Sequence, residues 1–476
     1  MKFSDSSSSG RSLLERRSID PVPDDERHGG PLSQFTLWAS ANLTVICAVT
    51  GALTVVMGGD VFWSLVGLFI GQLAGGAVMA LHGAQGPRIG LPQMILSRVQ
   101  FGVYGAIIPL VLVCIMYIGF LTGGAVLTGH AAGQLLHVST SCAIVILGVL
   151  VAVLALFGYR TIHALGRAYS VAGGLMFAYL FASLLHGHDV GVLLGNRHFT
   201  WPTFLFAVSL SASWQISYGP YVADYSRYLP RSTSPLITFL AVGSGSVLGS
   251  QIAMTFGVFA AAIAGSRFAG REVTFMVDLG SGGVAIVAIM LYLAIMLGKL
   301  IASTLCVYGG VMSVATITTA VNGRRAIGYR ARALMTLAVV ALYTTIALAA
   351  NQGFLKAFSE FILFLLAFFT PWSAINLVDY YCVSRECVDV AALSDVNGRY
   401  GKWNTQGITA YVIGVLVQIP FVSTGLYAGP LFHLLGGVDV SWIVGIVVPG
   451  SIYYFMTRTQ RASRTGEPMR ADGAAS

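Results

Sequence analysis

Charged residues are scarce in this sequence of 476 residues: Asp, Glu, Lys and Arg make up 10% of it, whereas 56% is hydrophobic. Soluble globular domains carry about 25% charged residues, because a water-soluble fold needs polar groups over its surface. So little charge excludes a soluble enzyme and a soluble binding module.

Several familiar chemical motifs are also missing. The six cysteines form no CxxC pair and no Cys/His cluster with metal-ligand spacing, so we expect small buried hydrophobic residues rather than a metal site. No phosphate-binding loop, nucleotide-binding domain or pair of catalytic carboxylates is present. We therefore predict that the protein is not an enzyme, uses no cofactor and is not a primary pump.

What the sequence does contain is long apolar runs. Runs of about 18 residues or more can cross a hydrocarbon layer of roughly 30 Å as helices, which satisfy their own backbone hydrogen bonds. Twelve such runs predict an all-α polytopic membrane protein with twelve transmembrane helices, called spans 1 to 12 below. They lie at 35–58, 61–81, 100–128, 139–157, 163–185, 201–223, 236–263, 284–310, 332–350, 354–378, 407–424 and 440–457.

The polar segments between and around the spans indicate domains and orientation. We predict a disordered cytoplasmic tail at 1–30, a membrane domain at 31–457 and a second cytoplasmic tail at 458–476. The basic residues concentrate on one side of the predicted membrane domain, and this places both termini in the cytoplasm of a multi-pass protein of the inner (plasma) membrane. The basic residues left outside are Arg197, Arg267, Arg271 and Lys356. The net charge of +8 therefore follows topology and does not indicate nucleic acid.

Two spans contain helix-interrupting residues. Span 1 reads "SANLTVICAVTGAL" and span 6 reads "SLSASWQISYGPYVADY", where Gly219 and Pro220 release backbone groups from the helical ladder. A kinked helix repaired by its neighbours is one explanation. Spans 1 and 6 are also the first members of two five-span halves, and paired interruptions at such positions predict a midplane binding site between inverted repeats.

Four segments resemble the nucleobase:cation symporter-1 family, in particular its purine-cytosine permease branch. They are "GPYVADYSRYLP" (219–230), "LERRSIDPVPDDERHGGPLSQFTLWASANLTV" (14–45), "PWSAINLVDYYCV" (371–383) and "YGKWNTQGITAYVIGVLVQIPF" (400–421). The resemblance implies a LeuT-like 5+5 inverted repeat, with spans 1–5 at 35–185 and spans 6–10 at 201–378. Spans 11 and 12, at 407–457, are then peripheral. It also implies a substrate between spans 1, 3, 6, 8 and 10, and a cation between spans 1 and 8.

The resemblance carries a set of substrate-binding residues onto this chain: Phe120, Gly124, Trp214, Gln215, Tyr218 and Cys306. Phe120 stands where relatives have a Trp that stacks on the base, and a Phe ring can also stack, unless it faces lipid. The amide of Gln215 can donate and accept, which suits the mixed edge of a base. Cys306 replaces a common Asn, so either the substrate differs from cytosine or another residue binds its edge.

A cation site is implied by residues of spans 1 and 8. Ser303 and Thr304 match the hydroxyl pair that coordinates sodium in the sodium-driven hydantoin carrier of the family, opposite the segment with Asn42 and Ile46. They therefore form a possible Na⁺ site, although simple Ser/Thr helix packing would explain the same residues.

Lys299 conflicts with a sodium site. It lies in an apolar part of span 8 and shares a helix face with Ser303 and Cys306 at i, i+4 and i+7. If it points into the bundle, its ammonium stands in for sodium and its protonation couples transport to H⁺. If it does not, it lies near the outer headgroups or pairs with Glu360 or Asp278.

Three further charged residues are predicted to act at helix ends or gates. Asp224 matches a family Asp beyond the interruption in span 6 and lies near Arg227 at the predicted cytoplasmic surface. Glu360 follows Lys356 by four residues, which predicts an interfacial helix pair.

Together these residues predict a secondary active transporter that imports a nucleobase (cytosine or purine) or related heterocycle by cation symport, with H⁺ favoured over Na⁺. Its partners are then the heterocycle, the coupling cation and membrane lipid. The alternative within transport is a cation-coupled carrier for another small solute, such as allantoin, hydantoin, thiamine or an amino acid. A membrane enzyme lacks catalytic residues, and a nutrient sensor would need an output domain.

Overall fold

A computed structural model describes residues 21–157, 159–322, 328–350, 353–424 and 427–464. Within these ranges the regular secondary structure is helical, apart from one isolated bridge between Ser423 and Ala428. The α-helices in chain order are α1 (Pro31–Asn42), α2 (Val45–Val56), α3 (Val61–Ile89), α4 (Gln93–Phe101), α5 (Ile107–Leu136), α6 (Thr140–Phe157), α7 (Tyr159–Gly187), α8 (Val190–Gly195), α9 (Trp201–Ile216), α10 (Val222–Ser226), α11 (Pro235–Ala264), α12 (Glu272–Ser281), α13 (Ala285–Asn322), α14 (Tyr329–Ala350), α15 (Phe354–Leu377), α16 (Thr405–Leu416), α17 (Pro430–Leu434) and α18 (Ser441–Arg464).

The helices match a multi-pass membrane protein. In the described part of the chain, six helices are long and apolar enough to cross a bilayer, or seven when the bent pair α1 and α2 counts as one span. Three shorter apolar helices add to these. Each predicted span overlaps a helix or a broken helix, while the total of twelve membrane crossings stays a prediction.

The predicted bounds of span 3 are wrong at both ends. The predicted span begins in the separate short helix α4, which ends at Phe101; residues 102–106 form a turn, and α5 runs from Ile107 to Leu136. Gly102 has φ 80, a backbone conformation that favours glycine, and the chain turns there. The amides of Val103 and Tyr104 then donate to the carbonyls of Gly401 and Lys402. Hydropathy alone does not register such a turn inside an apolar stretch.

Span 11 is shorter than predicted, since α16 ends at Leu416 rather than near residue 424. The following residues form turns around Pro420, which cannot continue the helical hydrogen-bond ladder. The Gln418 side chain donates to the carbonyls of Ala367 and Gly414 at 2.7 and 2.9 Å, so this end is held against α15.

The amino-terminal tail is also corrected. Residues 1–20 lie outside the described residues, but residues 21–30 are bound to the membrane domain instead of being disordered. Val22 is buried, and its amide donates to the Gly90 carbonyl at 2.9 Å. Arg27 donates to the carbonyls of Val22 and Pro87. Burial of Val22 and these hydrogen bonds offset the entropy of ordering the segment. Of the predicted tail at 458–476, residues 458–464 continue α18 and the rest lies outside the described residues.

Close packing against α11 fixes the position of α2. A Cβ added at Gly51 would collide with the Met254 backbone, and one added at Gly257 would collide with the Ala48 carbonyl. Glycines at these positions let the two backbones approach, as small residues commonly do between membrane helices. In the same way α3 packs along α9, and α5 packs along α13. These pairs carry many residues of the site described next, including Phe120, Trp214, Gln215 and Lys299.

Candidate substrate and coupling site

The interruption predicted in span 1 lies at Leu43 and Thr44. Helix α1 ends at Asn42, α2 begins at Val45, and the two axes differ by 59°. Thr44 has an extended backbone (φ −133, ψ 154) and precedes the first turn of α2. The break therefore brings the carboxyl end of one half-helix and the amino end of the other to the same place.

The interruption predicted in span 6 lies between α9 and α10. Residues 217–221 form turns, with the Tyr218 and Gly219 amides donating to the carbonyls of Gln215 and Ile216. The Ser217 hydroxyl donates to the Trp214 carbonyl at 2.7 Å, which satisfies one group freed by the break. A side chain at Gly219 would press on the ring of His82, so this turn also needs a small residue.

Asn42 connects the two breaks. Its side-chain oxygen accepts hydrogen bonds from the Trp214 indole at 2.7 Å and the Tyr218 hydroxyl at 3.1 Å. Its amide nitrogen donates to the Trp38 carbonyl at 2.8 Å and to Ser246 at 3.0 Å. Asn42 was predicted to contact a cation, but its side chain is used here to join span 1 to span 6.

An aromatic cluster lies beside the two breaks; we define it as Phe120, Trp214, Tyr218 and Phe361. The Phe120 and Trp214 rings meet edge to face at 5.6 Å, and Trp214 and Tyr218 do so at 5.9 Å. Phe120 also packs on Phe361 at 5.5 Å. Phe120 therefore faces the bundle and not lipid, and three of the predicted substrate-binding residues come together.

Gln215 does not join the aromatic cluster. Its amide nitrogen donates to Gln72 and, at 2.8 Å, to Ser250, and its oxygen accepts from Ser246 at 2.6 Å. We call these four side chains the Gln215 network. Neighbouring helical residues point about 100° apart, so Trp214 faces the aromatic cluster while Gln215 faces α3 and α11.

Lys299 points into the bundle. Its ammonium donates to the Phe120 carbonyl at 3.3 Å, and a Cβ added at Gly124 would overlap the end of the Lys299 side chain. No ion pair joins Lys299 to Glu360 or Asp278, and Asp278 instead lies 3.9 Å from Arg271. The side chain thus occupies the groove that Gly124 leaves open on α5, and the predicted headgroup and ion-pair alternatives do not apply.

A small cavity of about 20 Å³ lies at the break in span 1. Its lining residues are Thr44, Val45, Ile46, Gly124, Leu127, Thr128, Ile295 and Lys299. This volume holds one water-sized group, whereas ligand pockets for whole molecules measure about 300–1,000 Å³. A heterocyclic ring therefore enters only when the surrounding helices separate.

The remaining predicted residues of span 8 do not line this cavity. Ser303 and Thr304 are buried, and the Thr304 hydroxyl donates to the Leu300 carbonyl of its own helix at 2.8 Å. Cys306 is a free thiol within electrostatic range of both Lys299 and Tyr218. The Thr304 hydroxyl thus donates its proton within α13.

The predicted gating residues occupy different settings. The Asp224 carboxylate accepts from the Gln93 amide at 2.8 Å, which ties α10 to the start of α4. Arg227 is buried and donates to the Asp224 carbonyl at 3.2 Å. Glu360 lies on α15, where no ion pair within 4.0 Å joins it to Lys356. The predicted Lys356–Glu360 pair is therefore absent between these two described side chains.

A polar network near the predicted cytoplasmic side is not apparent from the sequence. Gln93 binds His82 and Gln85 at 3.2 Å, and Gln85 binds Asn376 at 3.2 Å. Asn376 then binds Gln100 at 3.3 Å. The network ends at Asp379, which accepts from Gln100 and from the Tyr453 hydroxyl, both at 2.8 Å. The one clue in the sequence is that Gln, His and Asn are unusual in otherwise apolar helices.

The fold matches solved transporters. The inward-facing conformation of Mhp1 aligns with a TM-score of 0.75 and 17% identity, covering 96% of each chain. Mhp1 in a closed conformation with bromovinylhydantoin bound, described as a nucleobase-cation-symport-1 family transporter, gives a TM-score of 0.74, 17% identity and coverage of 97% and 98%. The predicted LeuT-like fold is confirmed.

Sequence comparisons extend the match. A candidate purine-cytosine permease of Bacillus subtilis strain 168, YxlA, is 36% identical over 459 residues, covering 95% of this chain and 98% of its own. The purine-cytosine permease FCY2 of Saccharomyces cerevisiae is 26% identical over 264 residues, covering 52% and 48%. A family profile described as permease for cytosine/purines, uracil, thiamine and allantoin matches residues 21–445. These relatives are permeases and not enzymes, and the chain belongs to this permease family.

Proposed function

We propose that the protein imports a nucleobase or a related heterocycle as a secondary active transporter, with protons as the coupling ion. The observation that carries the proposal is the meeting of two broken helices beside an aromatic cluster. Broken half-helices at corresponding places in two repeats are the usual setting of a midplane substrate site. Both termini are proposed to lie in the cytoplasm and the protein in the inner membrane, on the distribution of basic residues.

The aromatic cluster suits a planar ring. The indole N–H of Trp214 is already bonded to Asn42, so Trp214 offers its ring face rather than a donor. Base–aromatic stacking contributes about 1–3 kcal/mol per base and tolerates different bases. Because Phe120 and Trp214 touch each other edge to face, a base must separate them to stack, which requires the helix movements of alternating access.

The position of Lys299 supports proton coupling. Its side chain lines the cavity at the span 1 break, which neither Ser303 nor Thr304 lines. A fixed positive charge there repels Na⁺, since two unit charges about 4 Å apart interact by ~4 kcal/mol at an effective dielectric constant near 20. A lysine that gains and loses its proton during the cycle would couple transport to H⁺ without a metal ion.

Transport of another small solute is the alternative. The family description itself extends from cytosine and purines to uracil, thiamine and allantoin. Cys306 presents a thiol near the aromatic cluster, and a thiol is a weak hydrogen-bond partner for a cytosine edge. A hydantoin-like or allantoin-like heterocycle, or an amino acid, therefore remains the second candidate.

Thermal-shift screening of the purified protein against bases, nucleosides, hydantoins, vitamins and amino acids tests the proposal, because a ligand stabilises the state it binds. We expect stabilisation by a planar heterocycle. Phe120→Leu should weaken its binding by about tenfold or more through lost stacking. Phe364→Leu, the same change at a ring 36% exposed on α15, serves as the control and should leave binding unchanged. Stabilisation by amino acids alone, or equal effects of the two variants, would contradict the proposal.

A further inference from the structure

The first turn of α2 has no cap. Thr44 is its N-cap residue, but the Thr44 side chain forms no cap hydrogen bond. The Thr44 hydroxyl oxygen is shielded from solvent and has no hydrogen-bond partner among the described residues. The first amides of any α-helix lack partners within the helix. A hydroxyl and several amides are thus left to bind something else.

The residues that carry these donors border the cavity. Thr44, Val45 and Ile46 all line it, so the cavity lies at the amino end of a helix of 12 residues. The helix dipole places partial positive charge at this end, which favours an anion there.

A full positive charge reaches the same cavity from α13. Lys299 lines it, and its ammonium is bonded to one neutral acceptor, the Phe120 carbonyl at 3.3 Å. No carboxylate of the described chain lies within ion-pair distance of Lys299. An ammonium donates and cannot accept. A metal cation needs acceptors, so this set of donors does not suit one, whereas a negatively charged acceptor fits it.

No acidic side chain of the surrounding helices supplies that acceptor. From α5 the cavity receives Gly124, Leu127 and Thr128, and the Thr128 hydroxyl is bonded to the Gly124 carbonyl at 2.6 Å. From α13 it receives Ile295 and Lys299. The titratable group near Lys299 is the Cys306 thiol. When Lys299 is protonated, a negative charge at this cavity would therefore come from outside the described part of the chain.

We propose that this cavity binds a negatively charged group of the cargo, so that the substrate is an anionic heterocycle: a ring that carries a carboxylate or a deprotonated ring nitrogen. The inference rests on the proposed function and names its substrate class. Phe120 connects the two parts of the site, because its ring belongs to the aromatic cluster and its carbonyl binds Lys299. The ring stacks on the cluster, and its negative group lies between Lys299 and the start of α2.

The cavity size agrees with a site in which the ring binds the aromatic cluster and only the negative group enters the cavity. About 20 Å³ accommodates a small group and not a ring. A chloride ion is also a small negatively charged acceptor, and it is the other possible source of negative charge in this cavity. Anionic cargo also accounts for coupling, since one proton on Lys299 and one negative charge on the cargo enter together without leaving an unpaired charge in the membrane.

Binding of matched neutral and anionic rings tests the inference. Calorimetry on the purified full-length protein compares uracil with uracil-6-carboxylate, and cytosine with cytosine-5-carboxylate, in chloride-free and chloride buffers. We expect at least one carboxylate to bind about tenfold or more tightly than its neutral partner, because charge-assisted hydrogen bonds are roughly twice as strong as neutral ones. Lys299→Met should abolish that preference. Thr44→Val, a second variant, should reduce the preference in the same direction.

The outcomes separate the inference from the proposed function. Tighter binding of the neutral rings, or a carboxylate preference that both variants keep, overturns the anionic substrate while heterocycle transport stands. A third outcome is that neutral rings bind more tightly in chloride buffer and that Lys299→Met loses this gain. That result would assign the cavity to chloride and would also overturn the anionic substrate. Absence of binding by every heterocycle in the thermal-shift screen removes the proposed function, and the inference with it.

Discussion

Two polar side chains inside the helix bundle have opposite surroundings. Gln215 is fully buried, and both ends of its amide are bonded to other side chains, namely Gln72, Ser246 and Ser250. Lys299 carries a charge, yet one backbone carbonyl is its partner and a cavity lies next to it. The two residues therefore differ in what they require from a ligand.

The difference separates packing from binding. A buried polar group whose hydrogen bonds are complete has nothing left to offer a substrate, and it holds helices together. A charged group without a counter-charge is costly inside a membrane, and such residues mark substrate and ion pathways. By this criterion Gln215 stabilises the contact of α9 with α3 and α11, and Lys299 acts in transport.

The largest effect should come from breaking the Gln215 network. Gln215→Ala leaves the buried oxygen of Gln72 and the Ser246 hydroxyl with fewer partners and adds a void, so we expect a loss of about 2–4 kcal/mol in stability. Yield and melting temperature measured in detergent should fall, while ligand affinity of the folded fraction stays within about twofold. Lowered affinity at unchanged stability would return Gln215 to the substrate site that the sequence pattern predicts.

A smaller effect should follow from displacing Lys299 without removing it. The Cβ added by Gly124→Ala overlaps the end of the Lys299 side chain, which must move. We expect about tenfold weaker binding of the anionic member of a matched ligand pair, or ~1.4 kcal/mol. Gly310→Ala is the control, because a Cβ there meets Tyr117 at an ordinary distance of 3.6 Å. Equal affinities in the two variants would show that Gly124 is not needed to position Lys299.

The two residues should also differ in the sign of their effect on stability. Lys299→Met removes an ammonium that has no counter-charge and keeps a side chain of similar length, so stability without ligand should rise by about 1 kcal/mol. The measurement is the melting temperature of the ligand-free protein, compared with that of Gln215→Ala. A fall in both variants would mean that Lys299 has a stabilising partner, and the comparison would fail.

The smallest effect is expected for the hydroxyl pair of span 8. The Thr304 hydroxyl bonds within its own helix, and neither Ser303 nor Thr304 lines the cavity. Replacing them together with Ala and Val should change the sodium dependence of ligand binding by less than about twofold, since packing hydroxyls contribute little. A tenfold or larger loss of sodium-dependent binding would restore the sodium site implied by the family resemblance.

The sequence predicts the architecture because composition and backbone chemistry act locally. Apolar runs mark the spans, and Gly219 and Pro220 mark the break in span 6. Side-chain direction is not local in this sense. Whether Trp214 or Gln215 faces the aromatic cluster depends on how α9 packs against α3. Periodicity does not reveal this, because the polar residues of α9 are spread around the helix instead of forming one face.

Long-range polar pairings are missed for the same reason. Asn42 bonds to Trp214 and Tyr218, more than 170 positions away in the sequence. The Lys299 side chain lies against Gly124, and this likewise depends on the contact between α13 and α5. The sequence identifies Lys299 as unusual because a charge in an apolar span is costly, but only the packed helices show which groups surround it.

Uptake of the radiolabelled ligand found by the thermal-shift screen into proteoliposomes tests the central claim, that Lys299 couples transport to protons at the break in span 1. One set of vesicles carries an imposed pH gradient with equal sodium on both sides, and the other carries a sodium gradient at constant pH. We predict accumulation driven by the pH gradient in the wild type and none in Lys299→Met. Accumulation driven by sodium at constant pH, undiminished in Lys299→Met, would contradict the claim.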